Sequence, residues 1–179
     1  MISLTMLGVK EDMPNEIKET NTVKQVRHQP AKLDDVDRRI LGILAQDSSR
    51  SYVDLGQELH LSAPAVHDRV KRLKRDGVIK ATVAKIDGCK VGRTLLAFVL
   101  VNTKNVVSTK RLLSLGNLPE IEEMHTVAGD SGVLLKVRVR ETEGLEDLLG
   151  KLQDIEGVDG TRSYIVLSTF VERGPDPGE

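Results

Sequence analysis

A single cysteine, Cys89, stands in this chain of 179 residues, so no disulfide can close within it. With no second thiolate to share a metal, a cysteine-based metal site within one chain is not expected, and Cys89 is expected to be a small packing residue. The four histidines, at 28, 60, 67 and 125, are too scattered for a ligand set, and neither a glycine-rich phosphate loop nor a nucleophile elbow occurs. No metal, cofactor or catalytic residue is therefore expected. Nothing approaches the roughly 18 consecutive apolar residues of a membrane span, and the opening MISLTMLGVKEDMP has too short an apolar stretch for a secretory signal. The expectation is a cytoplasmic protein with no membrane partner. Formal charge is nearly balanced, at −1, so any strong positive field has to be local.

One such field is present in residues 61–80, LSAPAVHDRVKRLKRDGVIK. Ser62 can accept a hydrogen bond from a free N–H of a first helical turn, Pro64 sits where a missing donor does no harm, and Asp76-Gly77 supplies a stop. At about 100° per residue, Val66, Val70 and Leu73 form one narrow apolar stripe, while Pro64, His67, Lys71 and Arg75 project oppositely with Asp68 and Arg72. Arg69, Lys71, Arg72, Lys74 and Arg75 against Asp68 leave a surplus of four positive charges on this short helix. Phosphate-backbone binding needs such a surplus, and His67 and Lys71 can reach base edges in a major groove. On charge alone a solvated helix face fits equally well.

The preceding residues decide between the two. Over residues 33–46, Val36, Ile40, Ile43 and Leu44 recur at helical spacing after an Asp34 cap. Ser51-Tyr52-Val53-Asp54 matches a capping box and opens a second helix, with Val53, Leu55 and Leu59 inward and an end near His60. Three short helices, the last two joined by a tight turn, make a helix-turn-helix unit whose final helix is the basic one.

The run LDDVDRRILGILAQDSSRSYVDLGQELHLSAPAVHDRVKRLKRDGVI resembles the DNA-binding domain of the Lrp/AsnC family, the leucine-responsive and asparagine-responsive regulators of bacteria and archaea. The shared features are an opening Leu-Asp-x-x-Asp with Ile-Leu, an Arg before the second helix and Leu-Ser ahead of the recognition helix. Val66, Arg69 and Leu73 follow, then a closing Gly-Val-Ile, and the resemblance runs over residues 33–172. It implies a sequence-specific, DNA-binding transcription regulator, nucleoid-associated in the cytoplasm, with double-stranded DNA as partner. Ser62, Pro64, His67, Asp68, Lys71, Arg72 and Arg75 are the candidates for the DNA face; Arg69, beside the apolar stripe, is as well placed to pair internally. The siroheme decarboxylases resemble the same family and make an enzyme the rival reading. Such an enzyme has no need of a basic helix with its opposite face free. A ligand-binding or assembly protein that does not bind DNA is the third reading.

The expected organisation is an extension at residues 1–31, a helix-turn-helix domain of winged type at 32–80, a strand and hinge at 81–92, a second domain at 93–173 and a tail at 174–179. The extension is polar, broken at Pro14 and Pro30; it reads as mostly mobile, either a bare tail or an arm that touches DNA or a partner subunit. Residues 78–86, rich in β-branched side chains on a period of two, predict a strand ending at Asp87-Gly88.

Beyond Thr94 the segments alternate in kind: strand 95–101, apolar enough for burial on both faces, helix 108–118, strands 121–128 and 133–140, helix 143–155, strand 161–171. The order β-α-β-β-α-β is that of a ferredoxin-like domain, four antiparallel strands with two helices on one face, and the fold class is α+β. A second subunit is the expected cover for the open sheet face, which makes the chain a homodimer. The resemblance implies further assembly of dimers to an octamer. It also implies an effector, usually an amino acid, held between subunits near the loop Ala128-Gly129-Asp130-Ser131-Gly132. Glycine N–H groups can meet a carboxylate there and Asp130 an ammonium; a plain hairpin turn fits the same residues. Met124 and His125 on the preceding strand, and Thr161 and Ser163 on the last, complete the candidate effector set. Many members of the family carry an aromatic residue and an Asp where this chain has Ser131 and Gly132, so the wall and one carboxylate of that site are missing.

Overall fold

A computed structural model describes residues 30–130 and 132–178. Most of the extension, with Ser131 and the last residue of the tail, lies outside the described residues.

The first unit is three helices, α1 (Asp35–Gln46), α2 (Tyr52–Leu59) and α3 (Ala63–Arg75). Asp34 caps α1 in a reciprocal box with Asp37: each carboxylate accepts the other residue's backbone N–H. Ser51 caps α2 by accepting the Asp54 N–H, but its hydroxyl donates to the Asp54 carboxylate, so the expected box is only half formed. The helices close on Ile40, Leu55, Leu59, Val66, Val70 and Leu73. Val53, expected inward, is exposed, because at 100° per residue it lies far around α2 from the Leu55–Leu59 stripe.

Two turns fix the angle of α3. His60 takes the left-handed conformation, φ 56°, and the Leu61 N–H returns 2.8 Å to the Gly56 carbonyl, which reverses the chain in two residues. At the other end Gly77, φ 71°, lets the Val78 N–H reach Leu73 O at 2.9 Å and its own N–H reach Lys74 O at 3.1 Å, a Schellman stop. Val78 and Ile79 then pack beneath the three helices. The strand expected over residues 78–86 is not formed: this segment pairs with no strand among the described residues, and Val83 and Ile86 are exposed. An extended segment becomes a strand only against another backbone, and the described residues offer none here. The wing therefore lacks its ladder. Asp87 folds the following turn by accepting the N–H groups of Cys89 and Lys90; Cys89, expected to pack, is exposed at its tip.

The second unit runs β1 (Leu95–Thr103), α4 (Val106–Leu113), β2 (Ile121–Thr126), β3 (Val133–Val139), α5 (Thr142–Gln153), β4 (Val158–Ile165), with strand order β2-β3-β1-β4, all antiparallel. This is the ferredoxin-like arrangement. Ala97, Val99 and Val101 of β1 and Val133, Leu135, Val137 and Val139 of β3 meet Leu112 of α4 and Leu145, Leu148 and Leu152 of α5. Helix α4 starts before the expected residue 108 because Asn105 caps it through the Ser108 N–H, and it tightens into a 3-10 turn at Ser114–Asn117. Strand β4 starts and ends earlier than expected. After Val166 has donated to Leu96 O, the chain leaves the sheet.

Burial along β1 alternates, so the strand is covered on one face only. Leu96, Phe98, Leu100, Leu134 and Tyr164 occupy the open face beside Lys136, which bridges Glu122, Glu123 and Glu172. Glu172 also holds Lys85 of the linker. From there the chain reaches α1, where the Arg38 guanidinium donates to the Pro177 carbonyl.

Candidate nucleic-acid interface

Helix α3 presents two chemically different sides. Val66, Val70 and Leu73 are fully buried, whereas Ser62, Pro64, His67, Asp68, Lys71, Lys74 and Arg75 are exposed. Ser62 accepts the Ala65 N–H at 3.3 Å and so is partly spent on capping. His67 sits 3.4 Å from Asp68 through Nδ1 and edge-on to Tyr52 of α2, ring centroids 5.5 Å apart. That contact restrains the imidazole on the exposed side of the helix. Lys71 and Lys74 have no carboxylate partner among the described residues. Arg75 is paired with the neighbouring Asp76 at 2.9 Å but remains largely in solvent.

Arg69 and Arg72 are placed differently. Arg69 Nη1 donates to Asp34 at 2.6 Å and to Asp37 at 2.8 Å, and Arg72 Nη2 donates to the second oxygen of Asp37. The Asp37 side chain is 1 % exposed, and a carboxylate so far from water needs that company. The hydrogen bond from Arg69, then that from the Asp37 N–H, holds the Asp34 carboxyl below its ordinary range, and Arg69 is pushed up in turn, first by Asp34 and then by Asp37. Arg72, expected on the DNA face, is thus turned toward α1. Of the two pairings open to Arg69, the internal one is adopted. Asp37 and Tyr52 were not among the sequence candidates. A partial signal for Asp37 lies in the opening Leu-Asp-x-x-Asp, which sets a carboxylate on the inner side of α1, where it needs hydrogen-bond donors or a cation.

The effector candidates are not gathered in one place. Met124 packs into the core, while His125 faces out and meets Glu123 at 3.1 Å. Gly129 and Asp130 are exposed in the loop; Gly132 closes the hairpin, donating to Val101 O and accepting from Val127. Thr161 and Ser163 lie on β4, at the opposite edge of the sheet from β2, with Thr161 facing Gln153 of α5. Two clefts, of about 570 Å³ between α1 and residues 173–178 and about 390 Å³ at the start of α4, are lined by other residues.

A helix-turn-helix unit with a basic final helix, joined to a ferredoxin-like domain, defines a DNA-binding regulator with a separate C-terminal domain. Residues 33–74 match the AsnC-type helix-turn-helix domain and residues 96–176 the Lrp/AsnC ligand binding domain. The HTH-type transcriptional regulator FL11 of Pyrococcus horikoshii is 34 % identical over 140 residues, covering 78 % of this chain and 93 % of that protein. The leucine-responsive regulatory protein of Salmonella typhimurium is 35 % identical over 146 residues, 79 % of this chain and 89 % of that one. The solved structure of E. coli AsnC superposes with a TM-score of 0.76 at 26 % identity, over 82 % of this chain and 100 % of that one. The chain belongs to the Lrp/AsnC family of helix-turn-helix transcriptional regulators. No helix among the described residues is long and apolar enough to cross a membrane.

Proposed function

We propose that α3 is the element that enters the major groove, with Pro64, His67 and Asp68 toward base edges and Ser62, Lys71, Lys74 and Arg75 toward phosphates. The observation that carries this reading is the two-sidedness of α3: its apolar stripe is fully buried, while Pro64, His67, Asp68, Lys71, Lys74 and Arg75 are exposed. A helix locked by one face can offer the other to DNA without an ordering cost.

The open sheet face, with Leu96, Phe98, Leu100, Leu134 and Tyr164, is proposed as the contact between two copies, which would also give residues 78–86 a backbone to pair with. Assembly of such dimers to an octamer is the larger form of the same proposal. The effector reading follows from this pairing. Val101 of β1 pairs with Val133, at the end of the 128–132 loop, on one side and with Thr161 on the other, and the proposed site is completed by a second copy. An amino acid suits it, with Asp130 for the ammonium and loop N–H groups for the carboxylate. The family match is to regulators, which favours this reading over the decarboxylase alternative.

Fluorescence anisotropy with the duplex immediately upstream of the chain's own gene, against a mixed-sequence competitor, tests DNA reading. Binding that survives the competitor supports it. Complete absence of binding to either duplex would overturn it.

A further inference from the structure

We propose that Asp37 is a positioning residue that withholds Arg72, and with it Arg69, from DNA phosphates, and so sets how strongly α3 is drawn to DNA of any sequence. This rests on α3 being the DNA-facing helix. Capping α1 does not require a carboxylate at Asp37, because the cap uses one oxygen to accept the Asp34 N–H at 3.3 Å, which an amide oxygen can do as well. The charge matches something else. Both Asp37 oxygens face guanidinium groups of α3, and Asp34 supplies a second carboxylate to Arg69. Two arginines and two aspartates form a cluster of no net charge at the joint between α1 and α3.

Arg72 is the member poised to leave. Its side chain is 40 % exposed, against 29 % for Arg69, and it has one carboxylate where Arg69 has two. It is also one residue from Lys71 and one turn from Arg75, within reach of the same phosphates. While Asp37 holds it, the cations left to DNA on α3 are Lys71, Lys74 and Arg75. Freed, it adds one more sequence-independent contact, and each such contact steepens the dependence of log K on log salt by about 0.9. Generic attraction would then rise relative to base readout.

The test is a salt titration of binding to a mixed-sequence duplex by the full chain, with Asp37→Asn, Arg72→Gln, the double variant and Lys71→Ala. Asp37→Asn should bind several-fold tighter at low salt, with a slope steeper by about 0.9. Arg72→Gln in the otherwise native chain should leave the slope unchanged, and the double variant should restore it. A slope that falls with Arg72→Gln alone shows Arg72 already on phosphate and overturns the proposal, even if Asp37→Asn fails to fold. Equal or weaker binding by a folded Asp37→Asn with an unchanged slope overturns it too. Lys71→Ala separates the two levels. If it also has no effect, the reading of α3 falls; if it lowers the slope while Asp37→Asn does nothing, only the role of Asp37 falls.

Discussion

The carbonyl oxygen of Leu61 lies 2.6 Å from the point a Cβ on Gly56 would occupy, so the turn between α2 and α3 closes only over a glycine. Alanine in an open helix position stabilises by up to about 1 kcal/mol relative to glycine. Here the sign reverses. Gly56→Ala should destabilise the helix-turn-helix unit by about 1–3 kcal/mol, because backbone rather than a flexible side chain must move. Denaturant unfolding checks it, and an unchanged or raised midpoint would count against the tight turn.

Asp34 gives the same unit a pH dependence. Its folded carboxyl titrates below the ordinary value of 3.8, so the unfolded chain binds more protons between the two values and stability rises with pH there. The contribution is complete above the unfolded value and disappears as pH falls through the folded one. Asp34→Asn, which keeps a capping oxygen, should flatten this acid limb by lowering the unfolding midpoint near neutrality, where the contribution is complete, and changing it little at the acid end. An acid limb as steep as before would contradict the Arg69–Asp34 pairing.

Lys136 and Glu172 tie the C-terminal segment down. Burial works against the Lys136 charge, but hydrogen bonds to Glu172 and then Glu123 outweigh it and push its pKa up. A chain ending at Glu172 loses the Arg38–Pro177 bond, a net loss of about 1 kcal/mol. Hydrogen exchange should quicken in α1 near Arg38 and Gly42 and stay unchanged in β1 and β3. Uniform exchange across α1 in both chains would show the segment does not rest there.

Leu100 pairs with Leu134 and Arg162 across the open face. Leu100→Asp places a charge there without touching the Val99–Val101 side, so it should lower the mass measured by light scattering while the far-ultraviolet spectrum holds. Persistence of the wild-type mass would remove this face from the subunit contact.

What the sequence made legible was what repeats or terminates. The stripe of α3, the Asp34, Ser51 and Ser62 caps, the Gly77 stop and the β-α-β-β-α-β order all follow from local chemistry. What it hid depended on a partner in space. Val53 is as apolar as Leu55, and only the helix phase shows which one turns out. Residues 78–86 carry a strand pattern but pair with no strand among the described residues. Arg72 shares the phase of the basic face, and nothing nearby in sequence says that a carboxylate 35 positions earlier holds it. The effector set was assembled across a sheet whose edges the strand order separates.

Whether the exposed side of α3 meets DNA is decided by comparing the native chain with Lys71→Ala and His67→Ala on the upstream and mixed-sequence duplexes over a range of salt. Lys71→Ala should weaken binding to both duplexes and reduce the salt slope by about 0.9. His67→Ala should leave that slope alone and narrow the preference between the two. Unchanged affinity, slope and preference in both folded variants would contradict the account.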